Sequence, residues 1–175
     1  MIRIVVIICL VCVAGGCSHA QEPVYVQVTQ QQMDTILTRT QLELHLNPAY
    51  VFGAAGIDPG VPGDCSGKVR AILMAAGIKL ERMRASDISQ AKDGWRFPVV
   101  MYSAARPGAV VVMTLQKHRP NGHVGMLVES VQDGKTRMAH ASSTWGFIAV
   151  VIDANKPKNY WYPKITRIRQ VDSRE

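Results

Sequence analysis

The chain has 175 residues, 47% of them hydrophobic, with 20 Lys+Arg against 13 Asp+Glu. That length and composition fit one folded domain of ordinary burial and exclude a repeat or low-complexity chain. The basic residues are scattered and aromatics make up 6%, so the net charge of +7 marks a basic surface without the clustered patch of a nucleic-acid binder.

The first segment reads as a leader. Arg3 is the only charge ahead of an apolar run over residues 4–13, too short to span a bilayer and characteristic of a secretory signal. Two cleavage sites fit. Val13-Ala14-Gly15-Gly16-Cys17 is similar to a bacterial lipobox, which would remove residues 1–16 and lipidate Cys17 as the new N-terminus. Ser18-His19-Ala20 instead meets the small-x-small rule and would release a soluble periplasmic or secreted chain beginning at Gln21. We take the lipobox, although Ala14 stands where leucine is more usual. Ser18 after Cys17, instead of Asp, points by lipoprotein resemblance to an outer-membrane protein facing the periplasm. Either way Cys65 is left as the one unmodified thiol, so no internal disulfide is expected and the core must supply the stability. Residues 17–27 form a polar tether and 28–175 the domain.

A helix is predicted over residues 29–46, where Met33, Ile36 and Leu37 recur at helical spacing. Leu42, Leu44 and Leu46 alternate, so its second half is ambiguous, and Pro48 closes it. A loop rich in glycine and proline follows over residues 53–63. Behind it Val69, Ile72, Leu73 and Ala76 fall at helical spacing and stop at Gly77, so a second helix starts at or just after Cys65. A third, weaker helix covers residues 86–92. From residue 109 the pattern turns to strands, at 109–115, 123–130, 136–141, 147–152 and 164–171. Helices first and strands second make an α+β fold with an antiparallel sheet.

A thiol at a helix start feels the positive end of the helix dipole, which favours the thiolate and makes a nucleophile of Cys65. The plainer reading is a buried cysteine acting as a small apolar residue. A nucleophile needs a base, and the base a group to hold its ring. Of five histidines, His19 adjoins the leader and His45 lies on a solvated face. His118 sits in a proline-containing loop, while His123 and His140 fall on consecutive strands. Asp133-Gly134 between them is a hairpin turn, and pairing Gln132 with Lys135 sets His140 opposite Leu127. Parity then puts both imidazoles on one sheet face, several residues apart, so that only a bulge or a slipped register would bring them together. No Cys-x-x-Cys or His-Glu-x-x-His spacing points to zinc, and the glycine-rich loop lacks the Lys-Ser/Thr ending of a phosphate loop, so neither metal nor cofactor is expected.

These pieces resemble one family. Tyr50-Val51-Phe52-Gly53, Asp64-Cys65-Ser66-Gly67, Gly77-Ile78-Lys79-Leu80-Glu81-Arg82, Arg106-Pro107-Gly108, Gly122-His123-Val124-Gly125 and His140-Ala141-Ser142 occur in the order seen in NlpC/P60 cysteine peptidases. Tyr160-Trp161-Tyr162 and the arginines after it look like that family's closing strand. The resemblance implies a papain-like α+β fold, with a cysteine-bearing helix packed on an antiparallel sheet that carries the histidines. It implies a hydrolase of peptidoglycan stem peptides, cutting at D-glutamate–diaminopimelate or at a cross-link. Cys65, His123 and His140 would then be catalytic, Tyr50 an oxyanion donor, and Asp64 and Ser66 would line the amino-terminal side of the substrate. Expected partners are peptidoglycan and, through the lipid anchor, a membrane. There are two departures from the family pattern, Phe52 with Gly53-Ala54 in the Tyr-x-Trp-Gly-Gly run and Ala109 where Asp is usual. A silent envelope lipoprotein that binds peptidoglycan or scaffolds a secretion complex is the alternative, and acyl transfer on the same framework a third.

Overall fold

The computed structural model describes residues 27–90, 97–156 and 158–173. The leader, Cys17 and most of the tether lie outside them. In chain order the elements are β1 (Gln27–Val28), α1 (Gln30–Leu46), α2 (Cys65–Ala75), α3 (Ala85–Ser89), β2 (Val110–Met113), β3 (His123–Leu127), β4 (Lys135–Ser142), β5 (Gly146–Asp153), β6 (Ile165–Arg169) and β7 (Asp172–Ser173). The five long strands form one antiparallel sheet in the order β5-β4-β3-β2-β6, and β1 pairs in parallel with β7.

Local chemistry sets the helix bounds. Thr29 and Gln32 form a reciprocal capping box, with Gln32 N–H donating to Thr29 Oγ1 at 3.2 Å and Thr29 N–H to Gln32 Oε1 at 2.9 Å. Asn47 ends α1 in the left-handed conformation (φ 44°), its N–H bonded to Glu43 O. This cap carries the helix through the ambiguous leucines. Leu44 packs on the core, while Leu42 and Leu46 stay exposed. Asp64 caps α2 by accepting from Gly67 N–H at 2.7 Å. Of the third predicted helix, α3 forms as a short turn, and the expected residues 91–92 lie outside the described segments.

Both faces of the sheet are covered, which is why β2 is buried at every position. On one face Val110, Val112, Val124, Met126 and Ala139 meet Ile36 of α1 and Val69, Ile72 and Leu73 of α2. On the other, Val111, Met113, Leu127, Met138, Ile152 and Ile168 form a second core with Ala105, flanked by the half-buried Trp161. The closing strand begins later than the resemblance implies: Tyr160 and Trp161 lie in a bend, and Tyr162 opens a 3-10 turn, ahead of β6.

The β3–β4 hairpin turns at Asp133-Gly134, with both residues at positive φ (47° and 73°) and Gln132 paired with Lys135 as the sequence predicts. The register then slips. Leu127 faces Met138 and Met126 faces Ala139, so residues 128–131 oppose only 136–137. Thr136 Oγ1 fills the irregularity by donating to Glu129 O at 2.7 Å. The expected pairing of His140 with Leu127 is therefore corrected by two residues. The shift keeps His140 on the face of His123 and carries it two positions nearer.

A buried ion cluster fixes the loop before α2. Glu43 is fully buried; Arg39 holds Oε1 and Lys68 Nζ lies 2.8 Å from Oε2. Gly60 N–H also donates to Oε2, Lys68 Nζ reaches Gly56 O, and Arg39 Nη2 donates to Ile57 O at 2.6 Å. These contacts join α1, α2 and the loop.

Candidate active site

Cys65 occupies the first position of α2 and is 8% exposed. Its thiol is met by the backbone N–H of Val124 on β3 and by the amides of the helix start. The amides of the helix start are the groups expected from the sequence to favour thiolate. They do lower the pKa, but burial and the adjacent Asp64 charge outweigh them, and the thiol is pushed above its ordinary value. Cys65 rests as a neutral thiol.

His123 and His140 come together. His123 Nε2 lies 3.0 Å from His140 Nδ1, and the rings meet edge to face with centroids 5.0 Å apart. The bulge in the hairpin produces this contact. Trp161 also packs on His140, 4.7 Å between centroids. Enclosure disfavours both imidazolium forms: burial and then the neighbouring His140 pull His123 down to about 3, and burial pulls His140 down to about 4. Both rings are neutral near pH 7. His140 Nε2 is buried and has no hydrogen-bond partner among the described residues.

Tyr50 borders the same space, half-buried, its backbone bridged to Gly63. Burial, Cys65 and Asp64 raise its pKa, so its hydroxyl stays a donor. Asp64 and Ser66 are buried and joined to each other at 3.0 Å. Burial would raise the Asp64 pKa, but hydrogen bonds from Arg82, Gly67 and Ser66, with the Arg82 charge, hold it below its ordinary value. A cavity of about 520 Å³ opens beside the histidine pair, lined among others by Tyr50, His123, His140, Trp145, Tyr160 and Trp161. His118 and His45 are exposed and lie outside that lining. Among the described residues no group of three His, Cys, Asp or Glu side chains is placed to hold a metal ion.

The NlpC/P60 family model matches residues 47–170, most of the chain and all the site described above. The chain belongs to the NlpC/P60 family. NlpC/P60 proteins are in general cysteine peptidases and hydrolases of peptidoglycan, and the α+β papain-like fold follows. No curated protein matches the sequence. Among solved structures, a Staphylococcus aureus protein described as similar to a lipoprotein of the NLP/P60 family aligns at 21% identity, with a TM-score of 0.59, over 86% of this chain and 44% of that one. NlpC1 from Trichomonas vaginalis aligns at 18% identity and TM-score 0.57, over 86% and 48%. A Bacillus cereus NlpC/P60 family protein aligns at 18% and 0.55, over 79% and 40%. At these identities the likeness is one of fold, and this chain spans under half the length of those three.

Of the NlpC/P60 departures, Ala109 is fully buried and its carbonyl accepts from Leu127 N–H at 2.9 Å, so the backbone supplies the bonding at the strand start. Phe52 projects into solvent, 80% exposed. Three features carry no sequence signal of their own: the Glu43–Lys68 pair, the Trp161 lid on His140 and the grip of Arg82 on Asp64. The Arg82 position is visible only as the end of the family-like segment 77–82.

Proposed function

We propose that the protein cuts peptide bonds in peptidoglycan stem peptides or cross-links by a Cys-His-His mechanism. The observation that carries this reading is the 3.0 Å contact between His123 Nε2 and His140 Nδ1 on the sheet beside a helix-start thiol. A neutral His123 that donates its Nε2–H to His140 keeps Nδ1 as the basic nitrogen. As Cys65 Sγ attacks the scissile carbonyl, the thiol proton passes to Nδ1, so the ion pair forms only with bond formation. The tetrahedral oxyanion takes hydrogen bonds from the Cys65 N–H and the Tyr50 hydroxyl, each worth about 3–4 kcal/mol. Collapse breaks the C–N bond, and His123 returns the proton to the leaving amine. Water, deprotonated by the same imidazole, then releases the acyl half from the thioester. His140 holds the ring, and Asp64 and Ser66 border the amino-terminal side of the peptide.

The D-glutamate–diaminopimelate bond is the proposed target, with a cross-link as the second. The proposed setting is the periplasmic face of the outer membrane, through lipidated Cys17. Digesting purified sacculi with the protein and weighing the released fragments tests the substrate. Fragments ending at D-glutamate are expected, and intact sacculi would remove the reading.

A further inference from the structure

Arg82 reaches from the segment after α2 back to the turn that carries the nucleophile. Its Nη2 lies 2.5 Å from Asp64 Oδ2, and its Nη1 donates to Ser66 Oγ at 2.8 Å. One guanidinium thus grips the residues on either side of Cys65. Nη2 also reaches the Ala54 carbonyl at 3.4 Å, in the loop that carries Tyr50. The same loop is tied to the cap itself, because Gly53 N–H donates to Asp64 Oδ2 at 3.0 Å and Asp64 N–H to Ala54 O at 3.1 Å. Arg82 arrives there because Ile78 and Leu80 are buried and Arg70 Nε donates to Leu80 O at 2.7 Å, which turns the chain back along α2.

We propose that Arg82 is a positioning residue for Cys65: its forked guanidinium holds the first turn of α2 against the Tyr50 loop and balances the Asp64 charge beside the thiol. A planar fork spans two acceptors at fixed separation, which a single ammonium cannot do. Charge matters separately. Asp64 opposes ionisation of Cys65, and Arg82 is in ion-pair contact with Asp64. Of the other titratable groups, Tyr50 faces the thiol from the loop and is itself faced by Arg119, and His123 on β3 adjoins Val124, whose N–H meets the thiol. Both are neutral near pH 7. Arg82 therefore sets the geometry of the nucleophile and its ease of ionisation together, and the two effects separate by mutation.

The test compares Arg82→Lys, Arg82→Gln and the double variant Asp64→Asn/Arg82→Gln in the full chain, with thermal melts to fix the folded fraction. Two readouts are taken: iodoacetamide alkylation of Cys65 across pH, followed by peptide mass, and kcat and KM on a synthetic stem peptide. The kinetic arm rests on the hydrolase reading; the alkylation arm does not. Arg82→Gln should slow alkylation at neutral pH by about tenfold, the effect of one pKa unit from an uncompensated neighbouring charge. Its kcat should fall by about tenfold or more with KM little changed. The double variant should recover alkylation but not kcat, because the charge imbalance is gone and the fork is still missing. Arg82→Lys should alkylate like wild type and lose kcat. A lower melting temperature for Arg82→Gln with alkylation and kcat unchanged would mark a merely structural arginine and overturn the proposal. If the wild-type protein leaves the peptide intact, the hydrolase reading fails, and the alkylation profiles alone uphold or overturn the role of Arg82.

Discussion

The depressed pKa values of His123 and His140 make the resting site a neutral thiol beside two neutral imidazoles, and this fixes its response to acid. In the proposed mechanism, protonating the pair removes the base. With folded values of about 3 and about 4 against an ordinary 6.5, kcat/KM should hold level as pH falls from 8 to about 5 and drop below that. A pH–rate profile breaking near 6.5 would contradict this. Stability follows the same sign. The unfolded chain takes up protons first as pH drops below about 6.5, so the contribution of the neutral pair is full above that pH and is lost as pH falls through about 4 and then 3. Urea midpoints between pH 7 and 4 should show it. At His140 the expected ordering comes from its role as acceptor. His140→Ala should lower kcat by roughly 10²-fold while leaving measurable hydrolysis, and His140→Asn should restore part of it, because an amide oxygen can replace Nδ1.

Between elements, the site depends on how the loop before α2 is held. Glu43 and Lys68 are both fully buried, so Lys68→Ala leaves an anion short of one of its cations. It should cost about 3–5 kcal/mol, read by denaturant unfolding. Replacing the pair by Glu43→Gln and Lys68→Met should cost less than the single change. A double variant no more stable than Lys68→Ala would count against this account. Gly67→Ala is expected to be damaging for another reason: a Cβ there would sit 2.4 Å from Ala54 O, forcing the helix and the Tyr50 loop apart. Much of this scale was legible in the sequence. The α2 start, the sheet strands and the shared face of the two histidines all follow from periodicity and parity. The register was not legible. Residues 128–131 slip because Thr136 binds Glu129 O and Val131 N–H meets Ala105 O at 3.4 Å, and the second contact joins segments far apart in sequence. Likewise Tyr160 and Trp161 have strand-forming side chains but leave the sheet, where Asn159 Oδ1 takes the Trp161 and Tyr162 N–H groups and Trp161 closes over His140.

Taken whole, the protein is a basic NlpC/P60 domain, and the proposed reading of residues 1–16 is a leader that ends at the candidate lipidation site Cys17. A positive surface suits carboxylate-rich peptidoglycan and anionic head groups. One acyl chain anchors marginally, whereas a fully acylated cysteine holds firmly. Cys17→Ala should therefore move the protein from the membrane fraction to the soluble one, and unchanged fractionation would argue against the anchor. The central claim is that Cys65 and His123 act as one chemical unit supported by His140. Its most direct test is the initial rate of stem-peptide release from purified sacculi by wild type, Cys65→Ala, His123→Ala, Cys65→Ala/His123→Ala and His118→Ala, all with matched melts. The account predicts no release from Cys65→Ala, a loss for His123→Ala nearly as large, little further loss in the double variant, and near wild-type release from the exposed His118→Ala. An active His123→Ala beside an inactive His118→Ala would show that a different histidine is the base and contradict the account.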